Sequence, residues 1–236
     1  MKKLSIFGFT GSIGAQALEL LQGKSEYDYH IFICNKNLKK AEETLEKFKP
    51  KYLFFSDPSV IQEFNCKKFP STNLILNKED LLKVIQEEPS DVYLSAISSF
   101  QMIDVTYMIA KSGKKILLAN KESLVIFGNV IMEEVHSNKT EIIPIDSEHY
   151  SIFQSLKYVD HRKIKKIFLM ASGGPFHGSA IEDLTQKSPA EALNHPNWDM
   201  GAKITIDSAS LVNKCFEVIE AHHLFSIDFA KLGILI

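Results

Sequence analysis

The stretch Lys3-Leu-Ser-Ile-Phe7-Gly8-Phe-Thr-Gly11-Ser-Ile-Gly14-Ala-Gln-Ala-Leu-Glu-Leu-Leu21 decides the fold. A short apolar run reads as a strand, three glycines at spacing three read as a tight turn, and the apolar spacing of 15–21 reads as a helix. Strand, glycine turn and helix in that order is the context that a dinucleotide fingerprint needs. Glycines let the backbone approach a pyrophosphate, and the helix N-terminus turns free N–H donors toward it. The spacing G-x-x-G-x-x-G is one residue longer than the common form, and a plain tight turn between strand and helix would read the same way.

Working outward, a second strand over 29–33 runs into Cys34-Asn-Lys-Asn-Leu-Lys-Lys40. An NAD-binding protein carries Asp or Glu near that point to meet the ribose diol. This segment is cationic and has no carboxylate, so it favours NADP, although it also fits a solvated helix start. Apolar runs at 52–55, 74–76, 91–96, 115–118 and 141–145 alternate with helical patterns, among them 79–87 and 104–111. The sum is a parallel, doubly wound sheet. The pattern changes near 145, where a domain boundary is expected.

Size and composition set the bounds. The 236 residues hold one large α/β domain or two small ones. A net charge of −2 gives no support for nucleic-acid or membrane-surface binding. Arg162 is the only arginine among 27 basic side chains, so anions must be met by lysines, hydroxyls, amides and helix N-termini. Cys34, Cys66 and Cys215 lack C-x-x-C spacing and read as reduced thiols. Glycines at 8 and 11 break the first apolar run too early for a signal peptide. No stretch reaches the roughly 18 apolar residues of a membrane span. A cytoplasmic protein is expected, or a plastid-type one from which a targeting segment has been removed. Leu232-Gly-Ile-Leu-Ile236 looks like a strand just beginning, and on that ground a fragment of a longer protein is expected.

The densest chemistry lies in His195-Pro-Asn-Trp-Asp-Met-Gly-Ala-Lys-Ile-Thr-Ile-Asp-Ser-Ala-Ser-Leu-Val-Asn-Lys-Cys-Phe-Glu217. The expectation is a loop, then the apolar Ile204-Thr-Ile206, then a helix over 208–225 capped by Asp207 or Ser208. Asn213 and Glu217, four apart, share a face with Lys214 beside it. Any one of these residues suits an ordinary surface helix; the block together could hold a charged, phosphorylated ligand. The span of about 176–200 has few periodic apolar residues and reads as a long loop. Pro144-Ile-Asp146-Ser-Glu148-His149 falls at the end of the last strand, the edge where ligands collect in open α/β sheets. If extended, Asp146 and Glu148 project to one side, and two such carboxylates need a proton or a metal between them. Glu217 would complete an all-oxygen set suited to Mg²⁺ or Mn²⁺. Taken alone, a D-x-E pair is more often a solvated strand end.

Five segments together carry a resemblance. Gly8-Phe-Thr-Gly-Ser-Ile-Gly14, Leu118-Ala-Asn-Lys-Glu-Ser-Leu-Val125, Pro144 to His149, Ala171-Ser-Gly-Gly-Pro-Phe176 and His195 to Ala221 resemble the 1-deoxy-D-xylulose 5-phosphate reductoisomerase family in order and spacing. The resemblance implies an NADP-binding, Rossmann-like doubly wound parallel sheet over 1–145 and an incomplete α+β catalytic domain over 146–236. It makes 176–200 a mobile lid and leaves the family's helical C-terminal domain absent. The implied reaction uses NADPH and a divalent metal to rearrange and reduce 1-deoxy-D-xylulose 5-phosphate to 2-C-methyl-D-erythritol 4-phosphate, in non-mevalonate isoprenoid synthesis. It implies a homodimer for the complete protein and no nucleic-acid or membrane partner.

Carried over residue by residue, the resemblance makes Asp146, Glu148 and Glu217 the metal ligands and Lys121, Glu148 and His195 the catalytic residues. Ser147 and Lys121 would meet substrate hydroxyls, while Ser172, Ser208, Asn213 and Lys214 would hold the phosphate. His195 and Trp198 would ride on the lid. Thr10, Gly11, Ser12 and Ile13 would meet the cofactor phosphates, Asn35, Lys36 and Asn37 the adenosine end, and Asn120 and Glu122 the nicotinamide side. The chain departs from the family pattern at Phe9, Asn35, Cys215 and Phe216, where smaller or more flexible residues are usual. A rival reading is an NADPH-binding fragment without turnover. A semialdehyde dehydrogenase is disfavoured, since no cysteine lies in a suitable apolar, glycine-rich context.

Overall fold

The computed structural model describes residues 1–97, 100–198 and 201–236. The chain divides into two compact units, Met1–Asp146 and Ser147–Ile236. In the first, β1 (Lys2–Phe7), α1 (Ser12–Leu21), β2 (Tyr27–Cys34), α2 (Leu38–Phe48), β3 (Tyr52–Phe55), β4 (Asn73–Ile75) and α3 (Lys78–Glu87) follow in order. Then come β5 (Val92–Ser95), α4 (Ile103–Ala110), β6 (Lys115–Leu118), α5 (Lys121–Asn138) and β7 (Glu141–Pro144). The seven strands form one sheet in the order β4-β3-β2-β1-β5-β6-β7, every neighbouring pair parallel. Helices must cover both faces of such a sheet, which is why the central stretches of its strands are mostly apolar. Ile6, Ile31, Phe32, Ile33, Leu53 and Ile116 are fully buried.

The strand order reverses between β1 and β5, and the two loops meet there. Gly8 has φ +87°, and a Cβ on it would stand 2.4 Å from the Ala96 carbonyl oxygen. Only glycine fits. A Cβ on Gly14 would lie 2.3 Å from the Gly8 carbonyl, so α1 is pressed onto the turn. Phe9, bulky for a glycine turn, is buried and packs on Phe32 with ring centroids 5.2 Å apart. Asn35 is not among the left-handed residues, so its place requires no positive φ. Asn37, Asn77 and Asn120 cap α2, α3 and α5 by accepting the N–H of Lys40, Asp80 and Ser123. Each such cap stabilises its helix by about 1 kcal/mol.

The second unit runs α6 (Ser147–Leu156), β8 (Ile167–Met170), α7 (Ile181–Leu184), α8 (Pro189–Ala192), α9 (Ala202–Ala209), α10 (Val212–Phe225) and β9 (Leu232–Leu235). Strands β8 and β9 pair in parallel, Ile167 with Leu232 through Met170 with Leu235. Leu169, Ala221, Ile227 and Leu232 form its small core, with Ile152, Val218 and Phe225 packed against them.

Four expectations change here. The helix expected over 208–225 is two helices, because Leu211 breaks it in the left-handed region at φ 60°. Ile204-Thr-Ile206 lies inside α9, and Ser208 donates back to the Ile204 carbonyl instead of capping α10. Glu148 follows β7 not as extended chain but inside α6, so the alternation argument that paired it with Asp146 does not apply. The span of about 176–200 is not structureless: it holds α7 and α8, and Ser188 and Glu191 make a reciprocal capping box. Asp199 and Met200 lie outside the described residues. No helix among the described residues is long and apolar enough to cross a membrane.

Candidate functional site

The glycine turn of the first unit delivers Thr10 and Gly11 to the start of α1, with Ser12 and Ile13 in its first turn. Gly11 is the N-cap and contributes no side-chain cap, so the helix end presents N–H groups with no side chain across them. At the end of β2, Asn35, Lys36 and Asn37 are exposed. Asn35 accepts the Ser56 hydroxyl at 3.1 Å, and Asn37 is spent on the α2 cap. Past the end of β3, the Asp57 carboxylate accepts the Ser59 N–H at 3.0 Å. Asn120 is buried: its amide donates to the Ile97 carbonyl and accepts from the Ser123 N–H and hydroxyl. It is therefore a structural cap whose polar atoms face inward. Lys121 and Glu122 follow it, half-buried, in the first turn of α5. Asp146, half-buried, closes the first unit just after β7.

In the second unit the polar residues gather on α6, β8 and α10. Ser147 Oγ donates to Glu148 Oε2 at 2.6 Å. Asn213 Nδ2 donates to Glu217 Oε1 at 2.7 Å, which is the shared helix face expected from their spacing. Lys214 Nζ stands 3.1 Å from Glu148 Oε1, 2.6 Å from Glu217 Oε2 and 2.6 Å from the Met170 carbonyl oxygen. Burial pushes the Glu148 carboxyl up, but the Ser147 hydroxyl and the Lys214 ammonium outweigh it, leaving it below its ordinary value of 4.5. A cavity of about 280 Å³ opens beside Glu148, walled by Ser147, Ser151, Ile152, Phe168, Leu169 and Met170.

Ser172 and His195 are brought together, Oγ to Nε2 at 3.3 Å. His195 Nδ1 accepts the N–H groups of Asn197 and Trp198 at 3.2 and 3.1 Å. With Nδ1 accepting, the neutral ring carries its proton on Nε2, facing the serine. Trp198 is 63% exposed and does not anchor its segment to the core. Ser208 is half-buried on α9 with its hydroxyl turned to its own helix. Cys215 is exposed, and the Phe216 ring lies 5.5 Å from Lys203 Nζ.

Two residues were missed. His149 is fully buried on α6; its Nε2 is 2.8 Å from the Glu217 carbonyl oxygen, so that nitrogen donates. Its Nδ1 faces the equally buried Glu220 carboxylate at 3.5 Å. Together they tie α6 to the α10 turn that carries Glu217. A signal existed: Glu217 and Glu220, three apart, occupy one face of a helix, so one carboxylate on that face needed a buried partner.

Comparison with known proteins bears on both units. Residues 4–128 match the family described as 1-deoxy-D-xylulose 5-phosphate reductoisomerase, and residues 142–225 match that described as its C-terminal domain. A Francisella tularensis subsp. novicida protein named 1-deoxy-D-xylulose 5-phosphate reductoisomerase is 40% identical over 99% of this chain and 61% of its own length. One of the same name from Clostridium botulinum (strain Alaska E43 / Type E3) is 42% identical over 100% of this chain and 62% of its own. A solved structure described as DOX-P reductoisomerase with NADPH, fosmidomycin and magnesium superposes with a TM-score of 0.90 at 34% identity, covering 99% of this chain and 60% of that one. The Zymomonas mobilis reductoisomerase with NADPH gives 0.87 at 30% identity, covering 99% and 60%. The chain thus spans about three fifths of the length of these relatives.

Proposed function

The chain belongs to the 1-deoxy-D-xylulose 5-phosphate reductoisomerase family, and we propose that it serves the NADPH- and divalent-metal-dependent conversion of 1-deoxy-D-xylulose 5-phosphate to 2-C-methyl-D-erythritol 4-phosphate. The observation that carries the reading is the convergence of Glu148 and Glu217, from two helices, on a single cationic point. Hard carboxylate oxygens around one positive centre are the donor set that Mg²⁺ or Mn²⁺ takes. The glycine cradle supports NADPH in the same way, since a Cβ at Gly8 or Gly14 would collide with backbone.

In this reading Met1–Asp146 is the NADPH-binding unit, and Ser147–Ile236 carries the substrate residues. Thr10, Gly11, Ser12 and Ile13 meet the pyrophosphate, and Lys36, Lys39 and Lys40 favour the 2′-phosphate. Asp146, Glu148 and Glu217 hold the metal. When bound, that cation would supply Lewis-acid polarisation of substrate oxygens. NADPH would supply the hydride for the reduction. Lys121 and Ser147 orient hydroxyls; Ser172, Ser208, Asn213 and Lys214 receive the phosphate. His195 keeps its Nε2 proton toward Ser172 and, with Trp198, covers the site against water. Asn120 acts by fixing the start of α5, beside Lys121 and Glu122. We further propose a cytoplasmic, homodimeric complete enzyme.

Because the chain spans only part of its relatives' length, a second reading holds that it binds NADPH without turnover. Measuring NADPH and NADH affinity beside substrate turnover on the same 236 residues separates the two. Expected is a clear preference for NADPH that falls when Lys36, Lys39 and Lys40 are replaced together by alanine. Equal affinity for both cofactors would overturn the assignment of the 35–40 segment. In a full-length relative context, Glu148→Gln and Glu217→Gln should abolish metal-dependent activity and leave NADPH affinity intact.

A further inference from the structure

The point on which the carboxylates of the second unit converge already holds a cation, and it belongs to the chain. Lys214 is 6% exposed, in the first turn of α10. Its ammonium has three protons, and three oxygens meet it: Glu217 Oε2 at 2.6 Å, the Met170 carbonyl at 2.6 Å and Glu148 Oε1 at 3.1 Å. These acceptors come from α10, β8 and α6, so the ammonium is the common partner of all three elements. A magnesium ion held by the same two carboxylates would lie about 2.0–2.1 Å from their oxygens. An ion drawn to those two oxygens meets the ammonium already bonded to both, and two cations cannot share one point.

We infer that Lys214 is a positioning residue: a placeholder cation that gathers Glu148 and Glu217 and must withdraw from both when a divalent metal binds. This rests on the metal reading proposed above. Two effects of the lysine oppose one another. It prearranges the carboxylates, which favours metal binding, and it occupies their meeting point with positive charge, which opposes it. Occupation wins, because each carboxylate has a second tether. Ser147 Oγ holds Glu148 at 2.6 Å, and Asn213 Nδ2 holds Glu217 at 2.7 Å. Without the ammonium the ligands stay in place, repel one another and attract a doubly charged ion more strongly. Withdrawal also returns a free ammonium to the α10 N-terminus, so metal uptake and anion affinity become coupled, reciprocally.

The test is Mn²⁺ binding to the whole chain, read from the loss of free-ion electron paramagnetic resonance signal at pH 8. Lys214→Met should bind Mn²⁺ at least about tenfold more tightly than the wild type. Equal or weaker binding by a variant with native circular dichroism overturns the inference. A second measurement needs no variant: reductive methylation of the wild type, quantified by mass spectrometry with and without Mg²⁺. Labelling of Lys214 should rise at least about threefold with the metal, while the exposed Lys24 stays constant. Unchanged Lys214 labelling in protein that has bound metal overturns the inference even if Lys214→Met does not fold. Wild-type protein that takes up neither Mn²⁺ nor Mg²⁺ sinks the metal reading and this inference with it. Tight wild-type binding with no gain in Lys214→Met sinks the inference alone.

Discussion

His30 lies in the middle of β2 with its Nδ1 2.8 Å from the Ser90 hydroxyl, which in turn is 2.7 Å from Ser5 Oγ. Ser5 accepts the Ile31 N–H, and Ser90 gives its own N–H to the Tyr93 hydroxyl, so one chain of hydrogen bonds links β1, β2 and the start of β5. Burial first, and Lys3 second, push the imidazole below its ordinary value of 6.5; Lys51 adds to this, while Glu88, 3.6 Å from Nε2, opposes it. The unfolded chain therefore takes up a proton at a pH where the folded chain does not. Stability from this group is full above about pH 6.5 and drains away as the pH falls below it. Melting temperatures between pH 7.5 and 5 should fall in the wild type and fall less in His30→Asn, which can keep the bond to Ser90. Equal slopes would show that His30 is not the group responsible. At this scale the sequence was a partial guide. Asn213 and Glu217 were legible because spacing on a helix fixes their meeting. Lys214 was read beside Asn213 and Glu217 but not as the partner of Glu148, because that contact joins residues far apart in the chain.

Elements were legible where local chemistry forces them. The glycine turn, the strands beside it and the helix α3 follow from runs and punctuation that no tertiary contact overrides. Gly14→Ala should cost about 1–3 kcal/mol, since its Cβ would meet the backbone of Gly8 and Phe9 at 2.3 and 2.5 Å. Gly11→Ala, with the Gly8 carbonyl at 3.3 Å, should cost less. Urea unfolding of the two variants checks the order. The break between α9 and α10 was not legible: a left-handed leucine, costing about 1–2 kcal/mol, carries no glycine or proline to announce it. The opposite holds for α8, whose Ser188-Pro-Ala-Glu191 is a readable capping signature within a span expected to be loop. Trp198 follows α8 and is the single tryptophan, so its emission reports on this segment alone. Mg²⁺, NADPH and fosmidomycin together should shift that emission to the blue in a complete enzyme and slow proteolysis of 176–198. If neither responds while the inhibitor is bound, the covering role given to His195 and Trp198 is wrong.

For the molecule as a whole, the change of pattern near 145 lies close to the division between its two units. Strand β8 escaped because its short apolar run sits among lysines and needs a partner more than sixty positions away to become a strand. That partnership has a kinetic consequence. Ser172, His195, Ser208, Asn213, Lys214 and Glu217 all lie between Met170, the last residue of β8, and Leu232, the first of β9. They ride on the crossover that joins two parallel strands, and a parallel pair cannot zip from a hairpin. The chain must close that long loop before the pairing rewards it, and such non-local closures are slow to form. The residues that would meet metal and phosphate therefore have no local route into place. During refolding they should assemble late, and an isolated 195–217 peptide should show no trace of their combined affinity.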